Sequence, residues 1–208
     1  MPEKQRNRGP ASYDRTHNLQ SYLVYDLPFG KGQQWATDGW ASKVLGGFQV
    51  NGVMSLMSGI PFYVVQGNGF NLNAGGSSQV PDQVLPEVAI LGGIGTTSQR
   101  GSAAGLYFDP TAYRAVNIPS GQTQRFGTAG RNNLRGPEFW EVDAGIFRTF
   151  SITETVKFQI RAEALNALNH ANFANPNADV TGANFGFVTA TYGPNQSRQW
   201  RFGARFSF

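Results

Sequence analysis

Few side chains in this 208-residue chain are equipped for chemistry. The two histidines, His17 and His170, are the natural candidates for proton transfer near neutral pH. They lie far apart in sequence, show no metal-ligand spacing, and neither completes a set of nucleophile, base and orienting acid. With no cysteine there is no disulfide and no thiolate metal site. The glycine-rich "LGGIGTTSQRG" (91–101) fits neither the phosphate-binding loop nor the dinucleotide pattern, and Asn195-Gln196-Ser197 is a bare sequon. Two polar motifs remain. "GRNNLRGP" (130–137) places Arg131 and Arg135 beside Asn132, Gly136 and Pro137. Two arginines there could hold an acidic ligand or brace a loop, and bracing is the expectation. "NALNHANF" (166–173) is expected to use its asparagines on backbone groups where a strand turns into a loop. The chain is therefore expected to be no enzyme and to bind no metal or cofactor.

What the sequence does carry is alternation. The chain ends "RQWRFGARFSF", with Trp200, Phe202, Ala204, Phe206 and Phe208 on one face and Arg201, Gly203, Arg205 and Ser207 on the other. Period two over that length is a β-strand with an apolar and a polar face. A soluble sheet usually blunts or frays such an aromatic edge. A membrane-barrel strand keeps it, with the apolar face to lipid and the polar face to a wet lumen.

The same pattern recurs. Trp140, Val142, Ala144, Ile146 and Phe150 alternate with Glu141, Asp143 and Thr149, and Arg148 breaks the apolar face near its end, where it could snorkel to headgroups. After a short turn at 151–154, Val156, Phe158, Ile160, Ala162 and Ala164 alternate with Lys157, Gln159, Arg161 and Glu163. Four such polar side chains in a row do not fit a dry core. A strand over 18–29 ends at Pro28, Gly30 and Gly32, and a longer one is expected over 44–65, weakened at Gly46, Gly47 and Gly52. Between 66 and 138 the texture is Gly, Ser and Asn rich. That is long for a loop in a compact soluble domain and ordinary for the outward loops of a barrel. From Trp140 to Phe150, at ~3.3 Å per residue and tilted ~45°, a strand projects roughly 23 Å, close to the ~25 Å apolar band of an outer-membrane barrel.

Composition agrees. No run of about 18 apolar residues is present, which leaves alternating strands as the way to cross a membrane. A mean hydropathy of −0.33 is compatible with apolar residues hidden by alternation. The net charge of +4 and pI near 9.6 come from singly scattered Lys and Arg, with no basic run, so no nucleic-acid partner is expected. The opening "MPEKQRNRGPASYDRTH" has no apolar h-region and is not a secretory signal.

These stretches resemble the C-terminal barrel portion of TonB-dependent outer-membrane receptors, in particular the Oar-like group. The likeness is carried by 14–32, 45–62, 126–150, 158–177 and the terminal strand, and most specifically by "GRNNLRGP" with "LNALNHANF". Ala167 departs from it, standing where the family usually has a large apolar residue. The resemblance implies an all-β, antiparallel up-and-down membrane barrel of 22 strands around a plug. This chain would supply about five strands, 18–29, 44–65, 140–150, 155–166 and 199–208, as an open sheet. Residues 1–208 would be the C-terminal part, with plug, N-terminal strands and export signal absent. Short turns near Gly30 and Thr153 would be periplasmic, and 66–138 and 168–198 extracellular. "FGFVT" (185–189) would be a short extension in the last loop. Trp200, Phe202, Phe206 and Phe208 would form the signal read by the barrel-assembly machinery. Asp143, Lys157, Arg161, Glu163, Arg201 and Arg205 would face the lumen, with Asp143, Arg161, Glu163 and Arg201 in a ladder of ion pairs. Implied partners are outer-membrane lipid, the rest of the receptor, the barrel-assembly machinery and, through the missing N-terminal part, the TonB complex. The function would be uptake of an unidentified large solute. The alternatives are an adhesion or secretion-related barrel without import and a soluble extracellular carbohydrate-binding β-sandwich.

Overall fold

The computed structural model describes residues 7–67, 79–94, 105–117, 125–194 and 196–208. The chain divides into two compact units. The first, the sheet unit, comprises His17–Met57, Phe139–Asn172 and Gly193–Phe208. It is one antiparallel sheet of five strands: β1 (Asn18–Asp26), β2 (Phe48–Met57), β7 (Phe139–Ser151), β8 (Lys157–Leu165) and β9 (Gln199–Ser207), paired in sequence order. β1 and β9 stand at its two edges, so the sheet is open.

Register follows alternation. Leu56 pairs with Trp140, Ile146 with Ala162, Ala162 with Phe202 and Phe158 with Phe206. Paired residues share a face and successive residues alternate. One face therefore collects Leu19, Leu23, Trp140, Ile146, Phe158, Ile160, Phe202 and Phe206. The other collects Gln20, Asp26, Gln49, Glu141, Asp143, Lys157, Gln159, Arg161, Glu163, Arg201 and Arg205. The turn between β7 and β8 is tight: Ile152 and Thr153 N–H donate to the Val156 carbonyl at 2.9 and 3.2 Å, and Val156 N–H donates to Thr153 Oγ1 at 3.0 Å.

The expected strand over 44–65 is three pieces. Residues Gly39–Leu45 form a short helix, α1, which takes Val44 and Leu45 out of the sheet. Gly47 then enters β2 at φ +78, and its carbonyl accepts from Thr149 N–H at 3.0 Å. A Cβ there would meet the Thr149 carbonyl oxygen at 2.7 Å, so only glycine fits. β2 ends at Met57, and Pro61–Phe62 forms a separate short strand, β3.

The second, the loop unit, comprises Met1–Thr16, Ser58–Glu138 and Phe173–Tyr192. β3 pairs with β6 (Leu134–Arg135), and β4 (Asp82–Gln83) pairs with β5 (Tyr113–Arg114). What sequence reading treated as loop is a folded body. Phe62, Val64, Val80, Phe108, Tyr113, Leu134 and Val188 are buried together. Phe108 is fully buried and meets Phe62, Tyr113 and Phe185 at ring separations of 5.9, 6.1 and 5.3 Å, the last two edge-on. "FGFVT" supplies Phe185 and Val188 to this core, and Phe187 bridges to Leu106.

Candidate functional site

The functional surfaces of the sheet unit are its two faces. The apolar one is uncovered: Leu19, Leu23, Trp200 and Phe206 are more than half exposed, Phe202 is 78% exposed and Phe208 96%. A soluble sheet of this kind would bury that face against a second layer. Phe206 and Phe208 rings lie 6.4 Å apart, and Trp200 and Phe202 stack at 6.3 Å, so the terminal aromatics form two pairs on either side of Ala204.

Arg148 is the single charged residue among the strand positions of this face. Its guanidinium lies 4.4 Å from the Phe150 ring centroid and 5.0 Å from that of Phe48, and Nη2 donates to the Lys43 carbonyl. Two aromatic faces and a carbonyl thus cradle a cation that would cost about 2–4 kcal/mol at a bilayer midplane and about 0–1 near its edge.

The polar face brings the predicted charges together. Glu163 pairs with Arg201, Gln159 with Arg205 and Lys157 with Ser207. The ladder of ion pairs does not form, because neither Arg161 nor Arg201 lies within ion-pair distance of Glu163. Across β7 and β8, Gly145 pairs with Glu163 and Phe147 with Arg161, so no acid of β7 stands beside Arg161. Asp143 turns to the strand end, where Oδ1 accepts from Asn166 N–H at 2.8 Å.

That strand end is the "NALNHANF" motif, and its asparagines act on backbone as expected. Asn166, fully buried and at φ +49, donates through Nδ2 to the His170 carbonyl at 2.8 Å and accepts from His170 N–H at 2.9 Å. Asn172 Oδ1 accepts from Trp140 N–H at 2.9 Å, and Asn169 Oδ1 from Arg198 N–H at 3.0 Å. Ala167 N–H reaches the Val142 carbonyl at 2.7 Å, a main-chain role that needs no large side chain. The His170 ring stacks on Trp140 at 3.8 Å, a contact that no local sequence pattern discloses.

At the opposite sheet end, Trp35 and Trp40 are well exposed, Trp40 at 78%, and Phe29 and Trp35 rings meet at 5.8 Å. Sequence reading passed over this segment, although two tryptophans within one connection were the available signal.

In the loop unit, "GRNNLRGP" braces through Arg135. Its guanidinium pairs with Asp14 and donates to the Gly59 carbonyl at 3.2 Å. Asn132, at φ +51, donates to the Pro10 carbonyl at 2.7 Å and Ser12 Oγ at 3.2 Å. Arg131 was expected to brace too, but its side chain is exposed and makes no hydrogen bond among the described residues, and its main chain and Cβ lie against Gly9. Gly136 is buried, a Cβ there would overlap the Asn175 amide, and Pro137 follows it. The Arg125 guanidinium grips Asp82 at 2.6 and 2.8 Å and holds its carboxyl below the ordinary range. Burial raises the Asp179 pKa, but hydrogen bonds from Gly67 N–H and from Thr181 outweigh it and the net shift is downward. The glycine-rich run beyond Ile94 and Asn195 of the sequon lie outside the described residues. Among the described residues no cluster of acids and histidines is grouped to hold a metal ion.

The model of an outer membrane beta barrel domain matches residues 2–201. The chain belongs to that family. No curated protein and no solved structure matches the chain. The barrel domain explains the uncovered apolar face and removes the soluble sandwich as an alternative, and it places the chain in the outer membrane, in association with its lipid.

Proposed function

We propose that the chain is a wall sector, with its loops, of a TonB-dependent outer-membrane receptor that imports a large solute. The carrying observation is the open sheet: two unclosed edges, β1 and β9, flank a face that is apolar except at Ser21 and Arg148, so closure requires further strands. The "GRNNLRGP" and "LNALNHANF" motifs that carry the resemblance are the bracing and strand-end elements of the two units. In this reading the apolar face meets lipid. Asp143, Lys157, Arg161, Glu163, Arg201 and Arg205 line the lumen. The sheet end bearing the 151–157 turn is periplasmic, and the long connections at the other end are extracellular. The intact protein, extracted from outer membranes, should co-purify with the periplasmic domain of TonB. A receptor that shows no such association, and whose uptake survives loss of TonB, is not of this class.

One observation favours the adhesion reading. The loop unit exposes Val84, Leu85, Ile90, Leu91 and Ile94 within one stretch, a surface with no use in solution. Cell-to-cell adhesion that is lost when these five become serine, with uptake intact, would support it.

A further inference from the structure

A groove of about 470 Å³ runs along the apolar face. Its shape comes from side-chain size. In one register row Ala162 lies between Ile146 and Phe202, and in the next Ile160 lies between Arg148 and Ala204. The two alanines leave a hollow between larger neighbours, and Arg148 lies at its end. Arg148 also lines a second hollow, a cleft of about 820 Å³ at the 151–157 end that contains Lys31 and Lys43. An apolar trough thus opens, past one guanidinium, into a cleft where Lys31 and Lys43 are balanced by Asp26 and Asp38, so the guanidinium is the cation left over.

The guanidinium is only partly engaged. Nη2 holds the Lys43 carbonyl, while among the described residues Nε is buried without an acceptor and Nη1 makes no hydrogen bond. An arginine has five N–H donors and is enclosed at lasting cost when they are unmatched. An anionic group arriving from the membrane side would supply such an acceptor and match the charge.

We propose that this groove is a binding site for one anionic glycerophospholipid of the periplasmic leaflet, with an acyl chain over Ala162 and Ala204 and the phosphodiester on Arg148. The proposal rests on the orientation stated under Proposed function. Length and charge select the occupant: the trough takes a hydrocarbon chain, and Arg148 is the one charged side chain on its apolar face, at the periplasmic end. Planar, forked donors suit phosphate oxygens.

The test is native mass spectrometry of the protein extracted in mild detergent, titrated with phosphatidylglycerol, with diacylglycerol of identical chains, and with lipid A. One phosphatidylglycerol should be retained roughly tenfold more tightly than diacylglycerol, the worth of one charge-assisted hydrogen bond. Arg148→Gln should erase that preference while diacylglycerol retention stays unchanged. Ala204→Leu should weaken both lipids. Heat-modifiable mobility reports whether each variant is folded, and the wild-type comparison needs no variant. Equal retention of the two lipids by wild type, or stronger retention of lipid A, would overturn the proposal. Neither result would touch the orientation, which Thr153→Cys, labelled from one side of the membrane, reads separately.

Discussion

Glu163 on β8 and Arg201 on β9 are direct cross-strand partners, yet no ion pair joins them. Register here is therefore held by the backbone ladder and by the sorting of faces. A one-residue slip would turn Lys157, Arg161, Glu163, Arg201 and Arg205 to the apolar side together. A double-mutant cycle of Glu163→Gln and Arg201→Gln should give a coupling below about 0.5 kcal/mol, the low end for exposed pairs. Unfolding in urea from detergent micelles measures it, and a coupling above about 1 kcal/mol would restore the ladder.

Asn166→Ala should destabilise the sheet unit by about 2–4 kcal/mol, from two lost hydrogen bonds to His170 and an L-alanine held at positive φ. Asn166→Gly should recover about 1 kcal/mol of this by removing the conformational strain. The same urea titration tests the order of the two variants, and equal losses would show that φ is not the cause.

Gly59→Ala should be harsher than Gly136→Ala. A Cβ on Gly59 would meet the Gly136 main-chain carbonyl, which cannot move away, whereas a Cβ on Gly136 would meet the Asn175 side chain, which can rotate. A cost of about 1–3 kcal/mol is expected for the first and less for the second. Protease sensitivity of the loop unit reads both, and the reverse order would contradict the packing described.

The loop unit should loosen in acid. The Asp82 carboxyl is stabilised in its charged form, with its pKa below 3.8, chiefly by hydrogen bonding to Arg125. A depressed folded pKa contributes stability that is present in full above the unfolded value and is lost as pH falls through the folded one. Proteolysis between 58 and 138 should therefore rise below about pH 4. Asp82→Asn should flatten that rise, and an unchanged pH profile in the variant would assign the loss elsewhere.

Much of the sheet was legible because alternation is local: each strand's face follows from its own residues. The boundaries of β7, β8 and β9 fell within two residues of expectation. Val44 and Leu45 misled because their spacing continues the β2 pattern, while the decisive feature is Gly47 at positive φ, which separates α1 from β2. The loop-unit core was not legible. Its contacts join residues distant in sequence, such as Gln66 with Val116 at 2.8 and 3.1 Å and Tyr107 with Gly186 at 2.8 Å, and no periodicity marks them. Register puts the charges on one face, but opposition in register does not bring long, hydrated side chains into contact.

Deleting Phe208 should reduce outer-membrane insertion and leave export unchanged. The residue is almost fully exposed, so its loss should cost the fold little and an insertion defect would read its part in assembly. Membrane-fraction heat-modifiable mobility identical to the parent would count against an assembly role.

The central claim is that one face of this sheet meets lipid and the other water. Spin labels placed singly from Lys157 to Leu165 on β8, in the protein reconstituted into bilayers, test it through collision rates with oxygen and with a water-soluble nickel chelate. Oxygen should dominate at Phe158, Ile160, Ala162 and Ala164, and the nickel chelate at Lys157, Gln159, Arg161 and Glu163. A profile without period two, or one with the opposite phase, would contradict the account.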